Sequence, residues 1–211
     1  RSLNDKSFIF NHSYNDEGKS HQVILCCPIK FDAFKILAGT LTAQNKNILE
    51  AKIFIRKDGI IIISANIEET EKTIAGDLEI WKNLKQNLST IFEGHENLSN
   101  LLAQRTRYIS EKKTTAAITP KVKVDNASDP HFSIVRIEAR DHLGMLYKIS
   151  KVFSELDIRI HSAKVSTQGG RGIDVFYVSH QNKKILFEKL VRRTKEKIIS
   201  AMMVKNPEEL G

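Results

Sequence analysis

The segment best suited to chemistry is Ala139-Arg140-Asp141-His142-Leu143-Gly144-Met145-Leu146, where an alternating apolar run changes to a helical pattern. A helix N-terminus presents unpaired N–H groups and a partial positive charge, which suit the carboxylate of a small ligand. Gly144 allows close backbone approach, and Asp141 can cap the helix or accept a hydrogen bond from an ammonium group. A plain strand-to-helix turn with an aspartate cap has the same spacing, so both interpretations stay open.

Other chemistries lack the residues that they need. The seven histidines are scattered without the close pair that is usual in zinc sites, and the sequence has no G-x-S-x-G nucleophile motif. The turn Gly169-Gly170-Arg171-Gly172 leads into a strand pattern, so it predicts a hairpin turn and not a phosphate-binding loop. Cys26 and Cys27 are adjacent, which favours reduced thiols over a disulfide. We therefore expect no catalytic residue, no metal site and a cytoplasmic protein.

Composition places the chain among globular proteins. Its 211 residues are 41% hydrophobic and 27% charged, and no apolar run approaches the roughly 20 residues of a membrane helix. The formal charge of +8 attracts polyanions, but no basic run is interleaved with aromatic residues, so we expect neither a nucleic-acid nor a membrane partner. Because the chain begins with Arg1 and not Met, we expect a piece of a longer protein.

The second half of the sequence predicts the order strand, helix, strand, strand, helix. A strand around Ile134 is followed by a helix with apolar positions from Leu146 to Leu156, and then by a strand whose alternation slips near Ser162, which predicts a bulge. The first half repeats this plan, because Ala51-Lys52-Ile53 matches Ala163-Lys164-Val165 at a constant offset along the chain. We interpret the chain as a duplication of one unit.

The predicted units have the βαββαβ order of the ferredoxin-like class, an α+β fold with antiparallel sheets and helices on one face. Lys121-Val122-Lys123-Val124-Asp125 alternates in polarity and is expected to be an edge strand that completes the first unit. The expected divisions are an N-terminal linker remnant at 1–21, the first unit at 22–104, a linker at 105–130 with the edge strand at 121–126, the second unit at 131–204 and a tail at 205–211.

Three blocks of the second unit resemble an ACT domain. They are Asp141-His142-Leu143-Gly144-Met145-Leu146, Ile160-His161-Ser162-Ala163-Lys164, and Gly172-Ile173-Asp174-Val175-Phe176-Tyr177-Val178. The resemblance is strongest to the C-terminal pair of ACT domains in bacterial enzymes that add UMP to the nitrogen-regulatory PII protein and remove it. It implies a regulatory module that binds glutamine, while the nucleotidyltransferase and phosphohydrolase domains of that family, which would use UTP and Mg²⁺ or Mn²⁺, lie outside this chain.

The resemblance also implies the position of a ligand. ACT units pair edge to edge, so that the loop of one unit lies against the second strand of its neighbour. The residues that it implies for ligand binding are Asp141, His142, Leu143, Gly144, Met145 and Leu146 of the loop, with Asn47 and His161 as polar partners on the second strands. The same family pattern includes Asp174, which we interpret as structural.

The first unit departs from the pattern, since Ile29 stands where the family has Asp and Asp32 stands where it has Gly. We therefore expect the first unit to act mainly as a structural partner. Two functions remain open: an amino-acid sensor that controls catalytic domains, and an interaction module without a small ligand that docks on PII or on those domains. Whether the units pair within one chain or between chains is also open.

Overall fold

The computed structural model describes residues 8–16, 20–30, 32–68, 74–106, 119–168 and 171–203. The helices and strands of this part follow in the order β1 Ile9–Asn15, β2 Ser20–Pro28, α1 Ala33–Ala43, β3 Ile48–Ile55, β4 Ile60–Glu68, α2 Ile74–Phe92, α3 Leu98–Thr106, β5 Lys121–Asp125, β6 Ser133–Arg140, α4 Met145–Glu155, β7 Ile158–Lys164, β8 Thr167–Gln168, β9 Arg171–His180 and α5 Glu188–Met203.

Two antiparallel sheets confirm the predicted pair of α+β units. The first sheet has the strand order β1-β2-β4-β3, and the second has the order β5-β6-β9-β7 with the short β8 paired to β9. The duplication extends to irregular details, because the register shifts at the matched sites Ile48/Glu50 in β3 and Ile160/Ser162 in β7. The bulge expected near Ser162 is therefore present, and the first unit has a bulge at the matching site.

The source of the fourth strand of each unit corrects the prediction. β5 pairs with β6 of the second unit, so the assignment of residues 121–125 to the first unit is wrong. The first unit instead takes its fourth strand from β1, within residues 1–21 that the sequence analysis assigned to a linker. Each fourth strand thus precedes its unit and pairs with the next strand along the chain, which closes a short loop at a low cost in chain entropy.

The hydrophobic core lies between the sheets and the helices. Alternate residues of the strands are buried, among them Val23 and Leu25 of β2 and Val135 and Ile137 of β6. Helix α1 is buried along nearly its whole length, because it contacts α2 and α3 of its own unit and α4 of the second unit. The burial of α1 agrees with its sequence, because a helix with apolar residues on nearly all of its sides packs in the interior of a protein.

The two units pack side by side within one chain. The edge strands β3 and β7 lie next to each other, and α1 lies against α4. At this junction the Lys35 Nζ donates to Ser154 Oγ at 2.9 Å, and the Ser154 hydroxyl donates to Asp32 Oδ2 at 2.6 Å. Pairing of the units is therefore intramolecular, which answers the question that the sequence left open.

Some sequence-based predictions lie outside the described residues. They concern Gly169 and Gly170 in the hairpin turn and the tail at 205–211. Both cysteines are free thiols. Within the described ranges, none of the helices combines the length and the apolar character needed to cross a membrane.

Gly39 of α1 provides a test of the packing between the units. A Cβ atom at this position would lie 2.8 Å from Leu98 Cδ2 of α3 and 2.9 Å from Tyr147 Cδ2 of α4. We expect Gly39→Val to lower the free energy of unfolding by about 1–3 kcal/mol, because overpacking a buried site forces its neighbours apart. Urea unfolding measures this loss.

The control for Gly39→Val is Lys85→Val on the exposed side of α2, which places the same side chain in a helix without such neighbours. A Gly39→Val protein as stable as the Lys85→Val protein would contradict the close packing of α1 against α3 and α4.

Candidate functional site

The predicted ligand loop connects β6, which ends at Arg140, to α4, which begins at Met145. Gly144 occupies the N-cap position with φ 83° and ψ 0°, a left-handed conformation that favours glycine, and no side chain caps the helix. The turn is held by the backbone, since Met145 N donates to His142 O at 3.1 Å and Lys148 N donates to Gly144 O at 3.0 Å. The N-cap residue of α4 is therefore Gly144 and not Asp141.

The eight predicted site residues have different environments. Met145 and Leu146 are buried core residues, whereas Asp141, His142 and Leu143 are half-buried around Gly144. His161 lies at the bulge of β7, where its ring stacks on Phe132 with centroids 4.3 Å apart and its Nε2 lies 2.8 Å from Ser179 Oγ. Asn47 precedes β3, and its carbonyl accepts a hydrogen bond from Glu68 N at 2.9 Å.

Asp174, which the sequence predicts to be structural, is a buried carboxyl whose nearest charged influence is Asp141 of the predicted ligand loop. Its side chain points into the core from β9 and is 1% exposed, and neither carboxylate oxygen has a hydrogen-bond partner among the described residues. Burial, and next the negative charge of Asp141, raise the pKa of Asp174 to about 7, although the nearby backbone N–H of Ser166 acts in the opposite direction. A buried carboxyl without a partner is rare, and it marks a strained or functional position.

His142 shares this environment. Burial, and next the positive charge of Lys148, hold the pKa of His142 below its usual value, so the ring is neutral near pH 7. Its Nδ1 is buried without a hydrogen-bond partner among the described residues. The loop of the second unit therefore combines a left-handed glycine, the carboxyl group of Asp141 and a neutral imidazole, and the charge of Asp141 acts on Asp174 of β9.

A cavity of about 280 Å³ lies at the junction of the two units. Its walls come from the loop between β2 and α1, from α4 and from the start of β7, and its lining residues are Ile29, Lys30, Asp32, Ala33, Phe34, Lys35, Ile53, Ile61, Ile63, Ser150, Phe153, Ser154, Asp157, Ile158, Arg159 and Ile160. None of these is among the eight residues predicted to bind a ligand. The cavity instead lies beside the loop of the first unit, which the sequence analysis expected to be structural.

The cavity has a charged rim and an apolar floor. Asp32, Lys35 and Ser154 form a hydrogen-bonded triangle, in which Lys35 Nζ lies 2.6 Å from Asp32 Oδ2. Burial opposes ionisation of Asp32, but the hydrogen bonds from Lys35 and Ser154 and the charge of Lys35 outweigh it and lower the pKa of this carboxyl. The isoleucines of β3 and β4 and Phe153 supply the floor. Such a site can hold a small molecule that carries both charges.

The polar side chains of the cavity rim link the two units. Among the described residues, no group of three or more His, Cys, Asp or Glu side chains is arranged to hold a metal ion. The lysine, carboxylate and serine of the triangle bond to one another across the junction of the units. Occupancy of the cavity would therefore act on the arrangement of the units.

Comparisons with known proteins agree with the fold. A family profile described as an ACR9-like, ACT-like domain matches residues 121–206, which begins at β5 and so includes the fourth strand of the second unit. Residues 121–206 thus form an ACT-like domain. A solved structure of an unknown protein from Galdieria sulphuraria aligns over 84% of this chain and 90% of that chain, at 10% identity and a TM-score of 0.26, which is too low to support an argument.

Two curated relatives carry the name bifunctional uridylyltransferase/uridylyl-removing enzyme. The protein of Rhodospirillum rubrum is 28% identical over 162 residues, which is 77% of this chain and 17% of that protein. The protein of Bradyrhizobium sp. (strain ORS 278) is 30% identical over 148 residues, which is 68% of this chain and 15% of that protein. The chain thus spans about one sixth of the length of these relatives and is related to one region of them.

Asp174 predicts a specific dependence of stability on pH. Because its pKa is near 7 in the folded protein and close to its ordinary value of 3.8 in the unfolded chain, the folded state binds the proton more tightly. The stability linked to this proton is fully present below about pH 4 and is lost as the pH rises through 7, at up to about 1.4 kcal/mol per pH unit. Asp174→Asn removes the titrating group.

We expect the stability of the Asp174→Asn protein, relative to the unsubstituted protein, to improve from about pH 5 to about pH 7 and then to level off in urea unfolding experiments. The control Asp16→Asn makes the same substitution at an exposed position. Parallel pH profiles for the Asp174→Asn and unsubstituted proteins would contradict the buried, partnerless position of this carboxyl.

Proposed function

From its ACT-like domain and its relation to uridylyltransferase/uridylyl-removing enzymes, we propose that this chain is an amino-acid-sensing regulatory module. In this proposal the ligand is glutamine, and its binding controls catalytic domains that add UMP to the PII protein and remove it. The chain itself supplies no catalytic residue in the proposal. Those domains would carry the catalytic residues together with UTP and a divalent metal ion.

The observation that carries this proposal is the cavity between the units. A loop from one unit and the second strand of the other form its walls, which is the place where a ligand can favour one arrangement of the pair over another. A ligand shifts an equilibrium between two arrangements only by the difference in its affinity for them. A ligand that contacts both units binds with different affinity when the arrangement of the units changes, because its contacts change.

The polar rim suits a free amino acid. In the proposed complex the ligand ammonium group binds Asp32, the ligand carboxylate binds Lys35 at the N-terminal turn of α1, and the aliphatic carbons lie on the apolar floor. Binding would replace the ion pair between Lys35 and Asp32 by two ion pairs, each between one of these residues and the ligand. The cavity is near the lower end of the roughly 300–1,000 Å³ range of ligand pockets, which fits a single amino acid and excludes a nucleotide.

The loop at Gly144 occupies the matching position in the second unit. We propose that it is a second amino-acid site of the same kind, formed by Asp141, His142, Leu143, Gly144, Met145 and Leu146 with Asn47 and His161 as more distant polar partners. The unpartnered carboxyl of Asp174 supports this, since a ligand ammonium beside Asp141 would stabilise the ionised forms of both acids.

Isothermal titration calorimetry of the chain with glutamine, glutamate and other amino acids tests the proposal. We expect heat with glutamine, and we expect Ser154→Phe, which fills the cavity from α4, to weaken binding by at least about tenfold, or about 1.4 kcal/mol. The control Ser200→Phe adds the same side chain to an exposed position of α5 and should leave affinity unchanged.

The substitution Gly144→Val distinguishes the contributions of the two loops to ligand binding. Valine does not adopt the left-handed conformation of Gly144, so the variant disturbs the second loop alone and must be shown to be folded. Weaker binding by Ser154→Phe with little effect of Gly144→Val supports the cavity as the main site. The opposite pattern would overturn that assignment and leave the second loop as the sensor. Absence of heat with every amino acid would overturn the sensor proposal and favour a module that docks on proteins without a small ligand.

A further inference from the structure

The second sheet has one face toward the helices and one face toward solvent. Strand residues alternate between the two, so the neighbours of buried Val135, Ile137 and Phe176 point away from the core. We call the solvent side the basic face. Its basic residues are Lys121 and Lys123 of β5, Arg136 and Arg140 of β6, Lys164 of β7 and Arg171 of β9.

The strand register places these cations next to each other. Lys123 lies opposite Arg136, Arg136 lies opposite Val175, and Val175 lies opposite Lys164, so one row across the sheet carries three cations. Arg140 and Arg171 lie directly opposite each other in another row. Like charges in opposite positions destabilise a sheet, so this arrangement is costly for folding alone and is offset when an anion binds.

Two carboxylates lie on this face within the described strands. Glu138 lies among the cations and accepts a hydrogen bond from Arg136 Nε at 3.0 Å. Asp125, at the end of β5, accepts bonds from the backbone N–H groups of Ala127 and Ser128. Among the residues that the structure describes, the basic face therefore carries six cations, with Glu138 at its centre and Asp125 at its end.

The centre of the basic face is apolar. Ile173, Val175 and Tyr177 are successive outward residues of β9, and each is half-buried. Ile134 of β6 lies opposite Tyr177 and widens this strip. An apolar centre surrounded by charge is the usual organisation of a protein interface.

We propose that the basic face docks an acidic protein surface whose apolar residues cover Val175 and Tyr177. The charge pattern selects an anionic partner and speeds its approach, whereas the apolar strip requires side chains that can be buried. A nucleic acid fits this face less well, because Tyr177 is the one aromatic residue on the outward side of its two central strands, within the described residues, and single-stranded nucleic acids need several stacking rings.

The test uses the whole chain and three fluorescently labelled probes in anisotropy titrations. The first probe is an amphipathic helical peptide with a leucine stripe flanked by glutamates, the second has the same composition in scrambled order, and the third is a single-stranded RNA of similar length. We expect the amphipathic peptide to bind about tenfold or more tightly than the other two, with an affinity that falls as salt rises.

The triple variant Lys123→Glu/Lys164→Glu/Arg171→Glu reverses three exposed charges of the basic face, and we expect it to weaken binding of the peptide by at least about tenfold. The control Lys82→Glu/Lys85→Glu/Arg193→Glu reverses three exposed charges on helices α2 and α5 and should change the affinity by less than about twofold. Circular dichroism melting confirms that both variants are folded.

Equal losses in the two variants would show that net charge alone attracts the probe, and they would overturn the proposal. Equal affinity for the amphipathic and scrambled peptides would show that the apolar strip has no role in binding, and this result would also overturn the proposal. Tighter binding of the RNA would assign the face to nucleic acid. No binding of the amphipathic peptide by the folded chain would also contradict the proposal.

Discussion

The side-by-side packing of the two units is the constraint on which the rest of the structure depends. Helix α1 is buried against α4, and β3 lies beside β7, so neither unit presents that edge to solvent. Because both units belong to one chain, the pair forms without loss of translational freedom between two molecules. The cavity exists where this packing leaves space between the first loop and β7, and its polar triangle joins the units through Lys35 and Ser154.

The two loops show how a duplicated fold can diverge. Gly144 takes a left-handed conformation at the start of α4, whereas the matching residue of the first unit is Asp32, whose carboxylate forms bonds across the junction. The second loop keeps close backbone approach and places Asp174 beneath it without a partner. In the loop between β2 and α1, the charged side chain of Asp32 replaces the glycine, and this side chain lines the cavity. In the proposed function both loops bind a small zwitterion, the first through side chains and the second mainly through backbone groups.

Sequence periodicity predicted the elements well, and it predicted their pairing less well. The helices, the hairpins and the bulge near Ser162 follow from local patterns of apolar residues. The pairing partner of β5 does not follow from such patterns, because an edge strand has the alternation of Lys121-Val122-Lys123-Val124-Asp125 in either sheet. β5 pairs with β6, to which it is connected by the shorter loop. β1 was missed because its sequence lacks a clear apolar alternation: Phe10 and His12 are half-buried, whereas Ile9 and Tyr14 are exposed.

The candidate site was predicted only in part. The strand-to-helix loop at Gly144 could be located from its spacing, since glycine and aspartate carry their backbone and capping preferences locally. The cavity could not, because it is formed by residues more than a hundred positions apart, such as Asp32 and Ser154. The sequence shows Asp174 as an acid in β9, but its burial without a hydrogen-bond partner among the described residues could not be predicted from the strand pattern.

Hydrogen–deuterium exchange of the chain with and without glutamine tests the central claim most directly, namely that a ligand binds where the two units meet. The account predicts slower exchange on both sides of the junction, in the loop before α1 together with the start of β7. Unchanged exchange at saturating glutamine, or protection confined to surfaces away from this junction, would contradict it.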